Sequence, residues 1–555
     1  MTGIMGRAPG IHASIPPQEP GVVLQPATYL AMQRGIDQLA RAIRPTLGPR
    51  PRLVALERPA RASAPELLDN GAVIARRVIE LADRDASMGV LFMRQMLWHL
   101  HEKVGDGTAT AALLFQGIFN HGVQYIASGG NAARLREYLD RGLHLILDEL
   151  RAMVVQVDGQ EQAARIAETM CYDHDLAELL GEIMEMVSPY GPVDIRTGYG
   201  RNLKREYVDG SYWEAGLYSP DRFVDPQSQK AELSEPWILI SNLVIEDPRQ
   251  LLPVLEAAAD GGAHSLVIIA NQLSDAALGL LRAARQAAHP IRAIGVHTPE
   301  FSAERRAEVL PDMAVLLGGR PFIAEAGETL ERITSRDFGR ARRAWANRTH
   351  FGVIGGQGDP RIVRTHLAQL RAGFQSAETG EDREHRLRRI GKLSGGSATL
   401  WVGGPTPTEI EWRKGTAERV VRALRSAMLE GVVPGGGAAL LACQPVLQRN
   451  LAQAENADER AAYHILSRSL EAPARIIAAN GGYEPGAVLG QIRRASAGWA
   501  FDVVQNRVVD AAVAGLYDPA SVVRDAVFSA VSSAALALTV DVLVHQRKIK
   551  LALEP

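Results

Sequence analysis

Seven residues, Val104-Gly-Asp-Gly-Thr-Ala-Thr110, combine the groups that a phosphate and magnesium site needs. Two glycines let backbone approach a ligand, an aspartate can hold a divalent cation, and hydroxyls at a helix start lie beside unpaired amides. Read alone, the string also describes a helix cap with a tight turn. Three other strings share its chemistry. Gly435-Gly436-Gly437 could let backbone pack against a base or ribose, or act as a hinge. Thr46-Leu-Gly-Pro49 could wrap a phosphate or end a helix. Asp518-Pro519 could accept hydrogen bonds from a ribose or base, and is expected to cap the last long helix. His99 and His101, two apart, face different directions on a helix and form no metal pair. The sequence contains no HExxH, GxSxG or GxxxxGK[ST] string.

The motif at Val104 needs helices on both sides, and the sequence supplies apolar runs at Leu91 to Leu100 and Ala111 to Gly122. From Tyr29 to Leu47, Met32, Ile36, Leu39 and Ile43 recur at helical spacing, ending at Pro45. Leu53, Val54 and Leu56 suggest strands, and Asp69-Asn70-Gly71 is a strong turn signal. Short helices are expected between Glu161 and Met186, then a turn into a strand at Gly191 to Ile195. Trp237 to Ile240, Leu266 to Ile269 and Ile291 to Val296 are short apolar runs separated by helical patterns, so an α/β unit fills 209–396. Helical character returns from Pro407 to about Val544, giving an α-rich unit interrupted by an α/β insertion.

With 555 residues the chain has room for three or four domains. Its 61 Lys and Arg against 63 Asp and Glu leave a net charge of −2, which argues against a nucleic-acid partner. Two distant cysteines, Cys171 and Cys443, suggest a reducing compartment, hence the cytoplasm, with neither disulfides nor zinc. Prolines at 16, 17, 20 and 26 make residues 1–27 a flexible extension. Ala526 to Val540 is apolar but shorter than the ~20 residues of a membrane span, so a buried helix is expected and no membrane.

The order of Thr46-Leu-Gly-Pro49, Asn70-Gly71, Met88-Gly89, Gly105-Asp-Gly-Thr108, Lys392-Leu-Ser-Gly-Gly396, Glu430-Gly-Val-Val-Pro-Gly-Gly-Gly437 and Leu516-Tyr-Asp-Pro519 resembles the group I chaperonins, the GroEL family, from about Tyr29 to Val544. The resemblance implies a multidomain α/β subunit. Its α-helical equatorial domain would comprise 1–152 and 430–555, its intermediate domain 153–208 and 397–429, and its α/β apical, client-binding domain 209–396. Family members bind ATP with Mg2+ and potassium, assemble as homo-oligomeric heptameric or double heptameric rings, and enclose unfolded or partly assembled client proteins under a co-chaperonin.

Carried over by position, Thr46, Gly48 and Pro49 match the family's phosphate loop, and Asp106 its magnesium aspartate. Gly107, Thr108 and Thr110 match the phosphate turn; Gly436 and Asp518 match contacts to ribose and base. The catalytic positions do not match. Asn70 stands where the family has an aspartate that helps place water, Asp69 where it has lysine, and Arg419 where a swinging aspartate reaches the nucleotide. A guanidinium cannot accept a proton, so hydrolysis should be slow or absent. A one-residue shift could bring Glu418 and Asp69 into those roles, and Arg419 could instead sense the γ-phosphate.

Leu217, Tyr218, Leu252, Leu255 and Leu278 are candidates for an exposed client patch. Asp221, Arg222 and Arg282 fall where the family tends to be apolar, implying a narrower, more polar surface. Three functions compete: a specialised chaperonin that binds ATP and assists few clients, an ordinary ATP-hydrolysing foldase, and a non-catalytic ring scaffold.

Overall fold

The computed structural model describes residues 21–49, 52–57, 66–78, 81–157, 159–187, 189–198, 200–208, 210–218, 230–286, 290–300, 302–377 and 379–545. Met32, Ile36, Leu39 and Ile43 have almost no exposed surface and line one face of helix Ala27–Ile43. That face packs on helix Arg84–Val104 at a crossing closer than side chains allow. A Cβ at Gly35 would fall on the carbonyl oxygen of Ala86, and one at Gly89 on that of Met32. Mutual glycines therefore set how Arg84–Val104 lies, and with it where its C-terminal turn points.

Helices Thr108–Ala127 and Ala132–Ala152 complete this layer with helix Ala520–Ala537 from the far end of the chain. Leu114, Phe115 and Phe119 share a core with Val527, Val531 and Ala534. By length and composition Ala520–Ala537 could cross a membrane, yet 67% of it is buried in this core. The termini also meet. Strand Gly21–Val23 pairs antiparallel with Leu543–His545, Val22 opposite Val544. Residues 21–27, expected to be flexible, are therefore structured, because the C-terminal strand satisfies their backbone groups. The remainder of the proposed extension, 1–20, and the chain end at 546–555 lie outside the described residues.

A second body holds an eight-stranded sheet. Arg292–His297, Ser265–Ala270 and Trp237–Ser241 run parallel, and Gly339–Ala346, Phe351–Gly356 and Ser211–Trp213 continue it antiparallel. All six residues of Ser265–Ala270 are buried, as a strand covered on both faces requires. The three apolar runs expected as strands are these parallel ones.

Between the two bodies lies a smaller one. Helices Gly159–Cys171 and His174–Val187 pack with helix Pro407–Glu430 on a sheet of Val193–Thr197, Ser397–Val402 and Lys204–Val208. The chain enters and leaves the helical body through Val155 and Val432, whose amides and carbonyls pair reciprocally at 2.8 Å.

Two local expectations are corrected. Asp69-Asn70-Gly71 forms no turn; strands Val54–Leu56 and Glu66–Leu68 pair ahead of it, and Asn70 caps helix Gly71–Arg77. Asp518 is no N-cap either. It lies in strand Tyr517–Pro519, paired with Val432–Pro434, and the helix that follows has no side-chain cap.

The helix crossing is testable. Gly35→Ala should destabilise the protein by about 3 kcal/mol, since backbone must move to admit the methyl, as read by denaturant unfolding.

Candidate nucleotide site

Helix Arg84–Val104 stops because Gly105, at φ 79°, turns the chain left-handed, its amide closing on the His101 carbonyl at 2.9 Å. Gly107, at φ 77°, turns it again and opens helix Thr108–Ala127, which has no side-chain cap. The first-turn amides of a 20-residue helix are thus left for an anion. Between the two glycines, the Asp106 carboxylate accepts from the Gly107 amide at 2.7 Å. Thr108 is buried, and Thr110 lies half-buried on the same turn.

The loop at Thr46 to Pro49 is fixed from a distance. Asn480 donates from its amide nitrogen to the carbonyls of Arg44 and Leu47, at 2.9 and 2.7 Å, and Gly48 lies at φ 105° against Ile477. The Thr46 hydroxyl donates to the Ile43 carbonyl at 2.8 Å. Sequence reading missed Asn480, whose partners are more than 430 positions away.

The Gly436 amide hydrogen-bonds to the Asp518 carboxylate. Burial, and then the negative charge of Asp106, push Asp518 up to about 7. Two carboxylates that repel in this way can be reconciled by a cation. Among the described residues no group of three His, Cys, Asp or Glu side chains could cage a metal. Mg2+ needs no such cage, since it can bind through one carboxylate, water and the oxygens of a phosphate chain. Asp106 would hold it.

The positions expected to carry hydrolysis are arranged otherwise. The Asn70 side-chain oxygen accepts from the amides of Ala72 and Val73, at 3.0 and 3.2 Å, and is 8% exposed. Arg419, on helix Pro407–Glu430, donates from both terminal nitrogens to both Asp69 oxygens at 2.7 and 2.8 Å, and to the Thr416 hydroxyl at 3.2 Å. Burial opposes the Arg419 charge, but the Asp69 carboxylate overrides it and raises its pKa. Asp69 and Arg419 thus occupy each other, and Glu418 faces solvent. The exchange of roles to Glu418 and Asp69 is not made here. Arg422, one turn on, lies over Gly105 with its guanidinium 3.4 Å from where a Cβ would stand.

His101 stacks on Trp98 at 5.5 Å between ring centroids, while His99 is exposed, so the two form no pair. Burial lowers the His101 pKa.

The five candidate client contacts do not form one patch. Leu217, at 4% exposure, is held inward by backbone pairing with Val296, and Leu278, at 3%, fills the core under its helix. Tyr218 stacks on His297 and donates its hydroxyl to the Asn271 carbonyl at 2.7 Å. Leu255 is half-buried; Leu252 is exposed at 44%. The two buried leucines are corrected to core residues. Arg282 is exposed, whereas Asp221 and Arg222 lie outside the described residues.

The TCP-1/cpn60 chaperonin family model matches residues 39–548. The chain belongs to this family. Two crystal forms of chaperonin gp146 from bacteriophage EL 2 (Pseudomonas aeruginosa), both determined in the presence of ATP-BeFx, share its fold at 18% identity, with TM-scores of 0.68 and 0.61. In each case the match covers 95% of this chain and 99% of the phage protein. The chain is a divergent chaperonin of the GroEL type.

Three outcomes follow from this chaperonin's geometry. Asp69→Ala strands a largely buried guanidinium and should cost about 2 kcal/mol in denaturant unfolding, below the range for fully buried pairs because both side chains keep some solvent. Asp69→Ala/Arg419→Ala should cost less than the sum of the single changes. In metal-free buffer, Asp518→Asn should stabilise increasingly as pH rises. A carboxyl whose folded pKa is raised imposes no penalty below its unfolded value near 4, and the full penalty above about 7. Thermal unfolding of both proteins from pH 4 to 8 measures the widening gap.

Proposed function

We propose that this chain is a chaperonin that binds ATP with Mg2+, hydrolyses it weakly, and assists folding or assembly of a limited set of clients. The observation that carries the reading is the Arg419–Asp69 ion pair beside an intact phosphate turn. The turn, the Gly436–Asp518 contact and the unpaired helix amides supply what holding a nucleotide requires. In binding ATP, the helix Thr108–Ala127 amides would take phosphate oxygens, Asp106 would hold Mg2+, and Gly436 and Asp518 would face the nucleoside. Mg2+ would screen the phosphate charge.

Cleavage needs a group that takes a proton from water or orients it, a contribution of about 10²–10⁴ in rate. Asn70 has its oxygen engaged by two amides, and Arg419 can only donate. The Arg419 guanidinium also fastens helix Pro407–Glu430 to the start of helix Gly71–Arg77. Closure of the middle body over the site is thus supported by an interaction made within the protein itself.

The reading extends to the assembly. The helical body would be the equatorial domain, 1–152 and 430–555; the middle body the intermediate domain, 153–208 and 397–429; and the large sheet the apical domain, 209–396. The subunits would form a heptameric or double heptameric ring in the cytoplasm. A co-chaperonin and potassium belong to the same reading. With two of the five candidate contacts, Leu217 and Leu278, buried, the client surface is narrow, as suits few clients.

Steady-state phosphate release decides between weak and ordinary turnover. Wild type should bind ATP yet release phosphate slowly, with or without unfolded protein. Asn70→Asp/Arg419→Asp should raise the rate at least about tenfold by restoring carboxylates. Robust wild-type turnover, abolished by Asp106→Ala, would instead mark an ordinary foldase. Failure to suppress aggregation of any denatured protein would mark a scaffold.

A further inference from the structure

Helix Gly159–Cys171 ends in a residue that backbone energetics disfavour. Tyr172 has φ 51°, in the left-handed region where a helix-ending glycine ordinarily stands, and its amide donates to the Glu168 carbonyl at 2.9 Å. Its neighbour Asp173 leaves no slack. The Asp173 carboxylate caps the next helix at the Leu176 amide, 3.1 Å away, and accepts from Arg413 of the long helix Pro407–Glu430 at 2.6 Å. The two-residue connector is thus pinned on one side while a bulky aromatic is held strained on the other. Strain of this kind persists where surrounding structure imposes it, and it collects at binding sites.

Helix Gly159–Cys171 packs against strand Tyr517–Pro519, which carries Asp518. Burial first, and then the nearby charges of Asp518, Asp106 and Asp502, hold the Tyr172 hydroxyl neutral above the usual tyrosine range, so the side chain lies within electrostatic reach of all three carboxylates. Yet 47% of the residue is exposed. The residue therefore keeps surface that a ligand can cover. The three carboxylates belong to the helical body, whereas Tyr172 belongs to the middle one.

We propose that Tyr172 is the middle body's contact with the nucleoside of the bound nucleotide, its ring packing on the base and ribose at the Asp518 end of the site. This rests on the nucleotide reading above and adds to it a route by which the nucleoside, apart from its phosphates, draws the middle body onto the site.

Titration calorimetry of the full-length protein with ATP, ADP and inorganic tripolyphosphate, each with Mg2+, tests it. Tyr172→Ala should weaken ATP and ADP each on the order of tenfold, the scale of one lost base–aromatic contact, and leave tripolyphosphate unchanged. Tyr172→Phe keeps the ring and should bind ATP within about twofold of wild type. Tyr172→Gly removes the ring but fits the left-handed backbone, so it should match or exceed the wild-type Tm while losing ATP affinity like Tyr172→Ala. Asp106→Ala should weaken all three ligands. Unchanged ATP binding by Tyr172→Ala, or an equal loss for tripolyphosphate, overturns the proposal while leaving the nucleotide reading intact. Wild type that binds none of the three overturns both.

Discussion

One ion pair joins the parts of this molecule that would otherwise be free to separate. Arg419 reaches from the long helix of the middle body to Asp69 at the start of helix Gly71–Arg77, with both guanidinium ends engaged and both side chains largely buried. Two parallel charge-assisted bonds fix direction as well as distance. The rest of the site depends on this placement: with Pro407–Glu430 held down, Arg422 lies on Gly105 and Arg413 anchors the turn that carries Tyr172.

The pair also changes what the site can do. A carboxylate swinging onto a nucleotide would accept a proton, whereas a guanidinium clamped by a neighbouring aspartate accepts nothing and withdraws that aspartate as well. The turn proposed to hold phosphate has no such conflict, because it would act through backbone amides and the left-handed glycines at 105 and 107. Binding and cleavage therefore rest on separate physical resources, and a chain can keep one while losing the other.

Much of this was legible in the sequence. The period of Met32, Ile36, Leu39 and Ile43 gave a helix, the apolar runs gave the parallel strands, and glycines flanking Asp106 gave the turn, since each follows from local sterics. Turn chemistry misled at Asn70 and Asp518. Asn and Asp suit turns, caps and strand ends alike, and the pairing partners that chose among these, Val54–Leu56 and Val432–Pro434, are remote in sequence.

By itself, then, the sequence determined the periodic helices, the buried strands, the phosphate turn and the lack of carboxylates at Asn70 and Arg419. Only the tertiary structure decided that Arg419 meets Asp69, that Asn480 holds the loop at Thr46, that Leu217 and Leu278 face inward, and that Tyr172 overlooks Asp518. Each of these joins residues far apart in the chain or in different bodies. Such contacts depend on how whole elements pack, and a helix that crosses at Gly35 and Gly89 sets them without leaving any mark in the local sequence around them.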